Sequence, residues 1–415
     1  VEVTEVFRRV LPTLVVSLVS LQPVGMRAQP QDAVAFVNAT VVATTDGTLA
    51  RGVTVVVRGG RIESVAAGAP PAGIKTLDVG GRYVVPGLVD AHTHITGFRA
   101  LRTALESGVT TARSSGVSSY VDVGMRELVK QGALPGPDIL AAGYHIRPIV
   151  ADEAFMDHPA LAPLMRGGMT TVDALRRMVQ ANLGRGVDWI KVLASERAGT
   201  PETDPRKQVY TDAELAVVVE EAGRKNVPVQ AHAHGAEGAL AAVKAGVRSL
   251  EHGTYLTDEA LKLMAEKGTF FVPTFATVID VAEPGGDYDN RDLRLRGAHM
   301  LPRLEQTIKR AHQLGVRIVT GADTSYGPNS LTRVSREAAE FVRMGLPPLV
   351  ALQAATSTAA QLLRLENQIG RVAPGFEADL LVVEANPLDS IVTLQDPLLV
   401  MSNGRVVVDR LRFGK

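Results

Sequence analysis

The 415-residue chain has no cysteine. Disulfides, thiol nucleophiles and thiolate metal sites are thereby excluded, so any metal must rest on His, Asp, Glu or a modified Lys. Aromatic residues are scarce, at 4%, so Val, Ala and Leu must fill the core. No charge of one sign dominates: 44 basic residues stand against 44 acidic ones. A neutral chain has no global field to draw in nucleic acid or an anionic membrane. No basic run is interleaved with aromatics, which argues further against a nucleic-acid partner. Hydrophobic residues nevertheless make up 46% of the chain. That composition and length allow a large barrel with a smaller domain beside it.

The first thirty positions differ from the rest. Arg8 and Arg9 precede an apolar run, Val10 to Leu21, and the segment ends in Met26-Arg27-Ala28-Gln29. Basic, apolar, then small is the layout of a secretory signal peptide over residues 1–29. The run falls short of the roughly 20 apolar residues of a stable membrane span. A periplasmic or secreted protein is the expectation. Position 1 is Val and Met26 is the first methionine; a start at Met26 would instead imply a cytoplasmic protein.

Val-rich runs between Ala35 and Leu77 are broken at Asp46-Gly47 and Gly59-Gly60, and similar runs near the C-terminus turn at Asn403-Gly404. These are strand and turn signals. Residues 33–84 and 366–415 are therefore expected to form a small β-sandwich domain from both chain ends. Between them, apolar runs at Tyr83–Val89, Val109–Ala112, Asp138–Ala142, Trp189–Leu193, Val227–Ala231, Ser249–Glu251, Phe270–Pro273 and Arg317–Thr320 alternate with helical patterns. The clearest helix spans Thr211–Lys225, opened by a Thr211/Glu214 capping box. Eight βα units of this size predict an α/β fold, a (β/α)8 TIM barrel over 85–365. No G-x-G-x-x-G follows the first strand, which disfavours a doubly wound sheet. The acidic, Gly-rich stretch Glu283–Asp292 reads as a mobile loop.

Candidate ligands fall at strand ends. His92 and His94 close the first strand two residues apart, so both imidazoles can reach one ion. Lys191 lies in the fourth strand, His232 ends the fifth, His252 the sixth and Asp323 the eighth. The C-terminal ends of barrel strands are where such enzymes carry their chemistry. Singly, each residue reads as a core histidine or a snorkelling lysine; jointly they read as a metal site. Imidazole and carboxylate without thiolate suit Zn2+, with Mn2+, Co2+ and Fe2+ as alternatives.

The segments "VVPGLVDAHTHI", "VQAHAHGAEGALAAVKAGVRSLEHGT" and "PGFEADLLVV" resemble the amidohydrolase superfamily. With "GVTTARSSG", "IKVLAS" and "TGADT", they place the likeness near its imidazolonepropionase-like branch, with the Xaa-Pro dipeptidase-like and ochratoxin hydrolase-like enzymes. The resemblance covers about Ala35 to Asp409. It implies that His92 and His94 bind a buried ion and that His232 and His252 bind an outer one. Lys191, carbamylated, would bridge the two, and Asp323 would touch the buried ion and the nucleophilic water. Of the pair His232 and His234, the family pattern favours the first as ligand, leaving His234 on the substrate side. The second strand reads Arg113-Ser114-Ser115-Gly116 where the family usually has Arg-Asp, which weakens any inherited substrate role there.

Two dications would lower the pKa of a bridging water from about 15.7 to near 7. Asp323 would take its proton and later pass one to the leaving amine, with His234 as hydrogen-bond donor to the carbonyl. His145, Tyr255, Tyr326 and Arg113 are candidate substrate contacts, and Arg197 competes with Arg113 for a substrate carboxylate. His158, His299 and His312 read as surface or loop residues. The expected activity is hydrolysis of an amide in a dipeptide or N-acyl amino acid, prolidase-, carboxypeptidase- or ochratoxin hydrolase-like. A lactonase, esterase or phosphotriesterase using the same hydroxide is the alternative; an imidazolone hydrolase and a non-catalytic binding barrel rank below it. Such barrels commonly associate as homo-oligomers.

Overall fold

The computed structural model describes residues 33–165 and 167–411; the expected leader over 1–29 lies outside them. The Val-rich runs at both chain ends pair as expected. Their hydrogen bonds join them into one sheet, in the order Arg405–Asp409, Leu399–Ser402, Leu380–Val383, Tyr83–Pro86, Val34–Val42, Leu49–Arg58 and Arg61–Ala67. Lys75–Asp78 also pairs with Val34–Val42. The ladders thus make one continuous sheet where a sandwich is the expectation from sequence. Its apolar face holds Phe36, Val55, Ile62, Val84, Leu380 and Met401 in one cluster. The hairpin turn at Asn403-Gly404 has both residues at positive φ, 50° and 74°, the geometry that matches strand twist in two-residue turns.

The middle of the chain forms two parallel sheets. One has the strands Leu88–Thr93, Val109–Ser114 and Asp138–Leu140; the other has Ile190–Leu193, Val229–Ala233, Ser249–His252 and Phe270–Val272. Backbone bonds link the two sheets on both sides. Trp189 N donates to Ala141 O and Ile146 N to Lys191 O, at 3.0 and 2.8 Å. On the other side the extended segment 317–324 accepts from Phe271 N through Arg317 O and donates from Asp323 N to His92 O at 2.7 Å. The eighth expected strand is thus held by isolated bridges, Phe271 to Ile318 and Thr93 to Thr324, and not by a continuous ladder.

The apolar run Tyr83–Val89 is not one strand. It divides at Gly87, whose N–H bonds Asp379 O at 2.8 Å. A Cβ at Gly87 would lie 2.1 Å from Thr110 Oγ1, so only glycine lets the chain pass from the terminal sheet into the parallel core there. Helices cover the outer face of the parallel strands. The one over Asp212–Gly223 carries the expected capping box, with Thr211 and Glu214 satisfying each other's backbone N–H. It buries Leu215, Val218 and Ala222. The segment 283–290 joins helices Phe275–Ala282 and Arg291–Gln313. Read as a mobile loop from sequence, it is tied down by Tyr288 N to Asp280 and by Ser330 Oγ to Asp287 Oδ2 at 2.6 Å.

Candidate metal centre

The parallel strands all point one way, so their C-terminal ends converge. His92 lies in the first strand and His94 just past it. Lys191, His232 and His252 come from the fourth, fifth and sixth strands. Asp323 comes from the bridging segment. The six side chains meet. Lys191 Nζ is 3.3 Å from His92 Nε2, and Asp323 Oδ1 is 3.2 Å from His94 Nε2 and 3.5 Å from His92 Nε2. Asp323 Oδ2 lies 3.9 Å from His252 Nδ1. Two neighbouring groups of donor atoms, each within 4.8 Å, could hold a metal: His92, His252 and Asp323; and His232, His234 and His252. His234, expected on the substrate side, is therefore packed among the ligand candidates, its ring stacked on His252 at 4.8 Å.

Each imidazole is oriented by a second contact, as metal-binding histidines require. Glu251 Oε2 accepts from His92 Nδ1 at 2.7 Å, leaving Nε2 to face the centre. Gly116 O accepts from His94 Nδ1 at 2.8 Å. His252 Nδ1 meets Thr274 Oγ1 at 2.7 Å and His234 Nδ1 meets Thr254 Oγ1 at 2.9 Å. His232 is turned the other way, with Nε2 on Glu196 O at 3.2 Å, so Nδ1 is its free lone pair.

Burial sets the charges. It holds His92, His232 and His252 well below the ordinary imidazole value and draws His234 down to about 3. Neutral imidazoles are the form that binds metal. Burial also draws the Lys191 ammonium down to about 8. Burial works against the Asp323 charge, but the bond to His94 and the Lys191 ammonium oppose it, and the carboxyl is held below its usual range. Neutral imidazoles around an ionised carboxylate make a donor set suited to a zinc-type divalent ion.

The centre opens into a cleft. His145 and Arg197 line its polar side; Leu193, Ala198, Val278, Val281 and the Tyr288 ring line its apolar side. Three expected substrate contacts do not reach it. Arg113 is fully buried beneath the centre: it donates to Ala91 O, Ser249 Oγ and both Glu251 oxygens, and its guanidinium lies 4.5 Å from the Trp189 ring centre. Tyr326 is also fully buried and donates its hydroxyl to Asp90 Oδ2 at 2.7 Å. Tyr255, partly buried, does not line the cleft, and its ring lies 6.3 Å from that of His299. Arg197, not Arg113, is the guanidinium that faces the cleft.

Sequence reading missed Glu251, although it adjoins His252. Strand alternation would send the two side chains to opposite faces. His252 departs from the strand at φ 70°, which lets both serve one centre. Tyr288 was missed because its segment carries no periodicity.

The sequence profile described as the Amidohydrolase family matches residues 83–407. The ochratoxinase of Aspergillus niger is 28% identical over 354 residues, covering 76% of this chain and 73% of its own; its crystal structure superposes with a TM-score of 0.76 over 91% of this chain and 96% of its own. A Xaa-Pro dipeptidase with methionine bound in its active site is 27% identical, with a TM-score of 0.80 over 90% of this chain and 99% of its own. The imidazolonepropionase of Symbiobacterium thermophilum is 26% identical over 349 residues, 74% of this chain and 76% of its own.

Proposed function

Because the chain belongs to the amidohydrolase family, we propose that it is a metal-dependent hydrolase of the amide bond in a dipeptide or an N-acyl amino acid. The observation that carries this reading is the meeting of His92, His94, Lys191 and Asp323 within hydrogen-bonding range beside His232 and His252. The linked parallel sheets are read as a (β/α)8 barrel over 85–365, with the terminal sheet as a separate domain. Likeness to an ochratoxinase and a Xaa-Pro dipeptidase supports an amide substrate.

His92, His94 and Asp323 would hold an inner ion, and His232 and His252 an outer one. Lys191, carbamylated, would supply the bridging anion, since an ammonium at that position would repel both cations. Bound divalent zinc-type ions supply Lewis acidity toward water and toward the scissile carbonyl. Asp323, kept ionised, accepts the proton of the attacking water at a carboxylate oxygen. It then returns that proton to the leaving nitrogen. His234 donates from Nε2 to the carbonyl oxygen as charge builds there. Arg197 offers the substrate carboxylate a bidentate partner. His145, whose Nε2 is spent on Ser115 O at 2.6 Å, presents Nδ1 to the cleft. The wall of Leu193, Ala198, Val278 and Val281 takes an apolar side chain and displaces water.

The test is a panel of dipeptides, N-acyl amino acids and matched esters assayed with zinc-loaded chain. Turnover of amides bearing a free carboxylate is expected. Ester turnover with no amide turnover would overturn the reading in favour of an esterase.

A further inference from the structure

A second cluster of candidate ligands lies at the opposite end of the parallel strands. Asp138 opens the third strand. Glu377 and Asp379 precede the terminal-sheet strand Leu380–Val383. Their carboxylate oxygens lie within 4.8 Å of one another. The strands are parallel, so their starts are far from the ends that carry the histidines.

Three acids brought this close repel when ionised, and little in the surrounding structure opposes them. Among the described residues the one cationic side chain bridged to the cluster is Arg61, whose Nη2 is 3.7 Å from Glu377 Oε1 and whose Nη1 is already spent on Gly375 O. Asp379 is 97% buried, being 3% exposed. Its Oδ1 accepts the Asn403 N–H at 2.7 Å; among the described residues Oδ2 has no partner at hydrogen-bonding distance, although the Thr110 side chain also bears on this carboxyl. A buried carboxylate oxygen without a partner costs about 1–3 kcal/mol or more, so the fold has reason to provide one. Ser402 is next to the same place: Leu380 pairs with Met401, which sets Asp379 opposite Ser402. The Ser402 hydroxyl, 5% exposed, also lacks a partner. Asp138 keeps one bond, from Asn403 Nδ2 to Oδ1 at 3.2 Å.

We infer that Asp138, Glu377 and Asp379 form a calcium site that pins the terminal sheet to the base of the parallel strands. The ligand type follows from the chemistry. An all-oxygen, carboxylate-rich set suits a hard cation. The irregular, partly exposed arrangement suits Ca2+, which tolerates six to eight ligands and completes its shell with water, better than Mg2+, which demands an octahedron. Burial raises the pKa of all three acids, and repulsion from neighbouring carboxyls adds to it at Glu377 and at Asp379, which reaches about 8. Asp138 belongs to the parallel core and the other two to the segment entering the terminal sheet, so a bound ion cross-links them.

The experiment is thermal unfolding of the zinc-loaded full chain at pH 8.5, with and without saturating CaCl2. Calcium is expected to raise the wild-type Tm by about 5 °C. The Asp138→Asn/Glu377→Gln double variant should lose that increment. Its calcium-free Tm should equal or exceed the wild type's, because a repulsion has been removed; this also reports that it folds. The single variant Glu377→Gln, at a position whose side chain is 20% exposed, should retain only part of the increment. Terbium luminescence titrated on both proteins gives a second readout, with binding expected on wild type and lost in the double variant. No wild-type shift with no terbium binding, or an equal shift in the double variant, would overturn the site.

Discussion

At the scale of single residues, the centre depends on one carboxylate that is not itself a ligand. Glu251 takes the His92 Nδ1–H and is in turn held by two bonds from Arg113 Nη2 and one from Ser249. It fixes which ring nitrogen of His92 faces the centre. Glu251→Gln keeps the shape but offers one neutral acceptor where two anionic oxygens stood. Loss of such an outer partner typically costs 10–100-fold in metal affinity or activity; zinc affinity measured against a competing chelator should fall by about that factor. Unchanged affinity would reduce Glu251 to a packing residue. Arg197 makes a different kind of claim, about the substrate. Arg197→Ala should raise KM for N-acyl amino acids by about 10–100-fold, as expected for a lost charge-assisted pair, and leave carboxylate-capped analogues nearly unaffected. An equal effect on both substrate sets would remove Arg197 from carboxylate recognition. The residues that converge on the candidate centre were legible because each stands in a short motif at a strand end. The choice between Arg113 and Arg197 was not, because both lie close to strand ends in sequence and only depth separates them. Tyr326 was misread for the same reason: three residues past Asp323 suggests a rim, but the chain turns inward at φ 54° and buries the ring.

At the scale of elements, strand order and ligand-bearing ends could be read from apolar runs, while junctions could not. The break at Gly87 depends on Thr110, which is distant in sequence. The eighth segment looked like any other strand, yet it holds its neighbours by scattered bonds only. Its close approach to the first strand is what brings Asp323 to His92. Gly321 permits that approach: a Cβ there would lie 2.7 Å from His92 Cβ and 2.6 Å from Val272 Cγ1. Real Cβ atoms do not sit so close, so one element must move. Gly321→Ala is therefore expected to cost about 1–3 kcal/mol of stability, the usual range for overpacking, and to lower zinc occupancy as well. Denaturant unfolding with elemental analysis measures both. A variant with wild-type stability and full occupancy would mean that the two elements have slack the structure does not display. Backbone twist at the site has the same origin. His252, Thr274 and Asp323 adopt φ of 70°, 49° and 44°, a region that β-branched and bulky residues rarely occupy. Thr274 in that conformation places its hydroxyl on His252.

At the scale of the whole molecule, two sets of buried groups pull stability in opposite directions with pH. His92, His232, His234 and His252 are buried and neutral, with pKa values pushed below 6.5. As pH falls through 6.5, the unfolded chain takes up protons on these four that the metal-free native state refuses, so acid favours unfolding. Asp90, Asp379 and Glu337 are buried carboxyls with raised values, Asp90 to about 6 and Asp379 to about 8. They keep protons in the native state that the unfolded chain has already released. Their contribution is present at low pH and lost as pH rises through those values. Each net proton is worth roughly 1.4 kcal/mol per pH unit. His145 is displaced in the same way, so five strongly displaced imidazoles stand against three strongly displaced carboxyls, with smaller shifts at His158 on one side and at Asp138, Asp280 and Glu377 on the other; the balance is a net loss on the acid side. Above neutrality the imidazoles no longer titrate in either state; the carboxyl loss remains, opposed only from about pH 8 upward by Lys191, whose native ammonium releases its proton before the unfolded one does. The metal-free chain should therefore be most stable at about pH 6–7 and fall away on both sides. Tm measured from pH 4.5 to 8.5 in the presence of a chelator checks this. A Tm that climbs steadily from neutrality toward acid would mean that the histidines are charged in the native state, and a charged imidazole has no lone pair left for a metal.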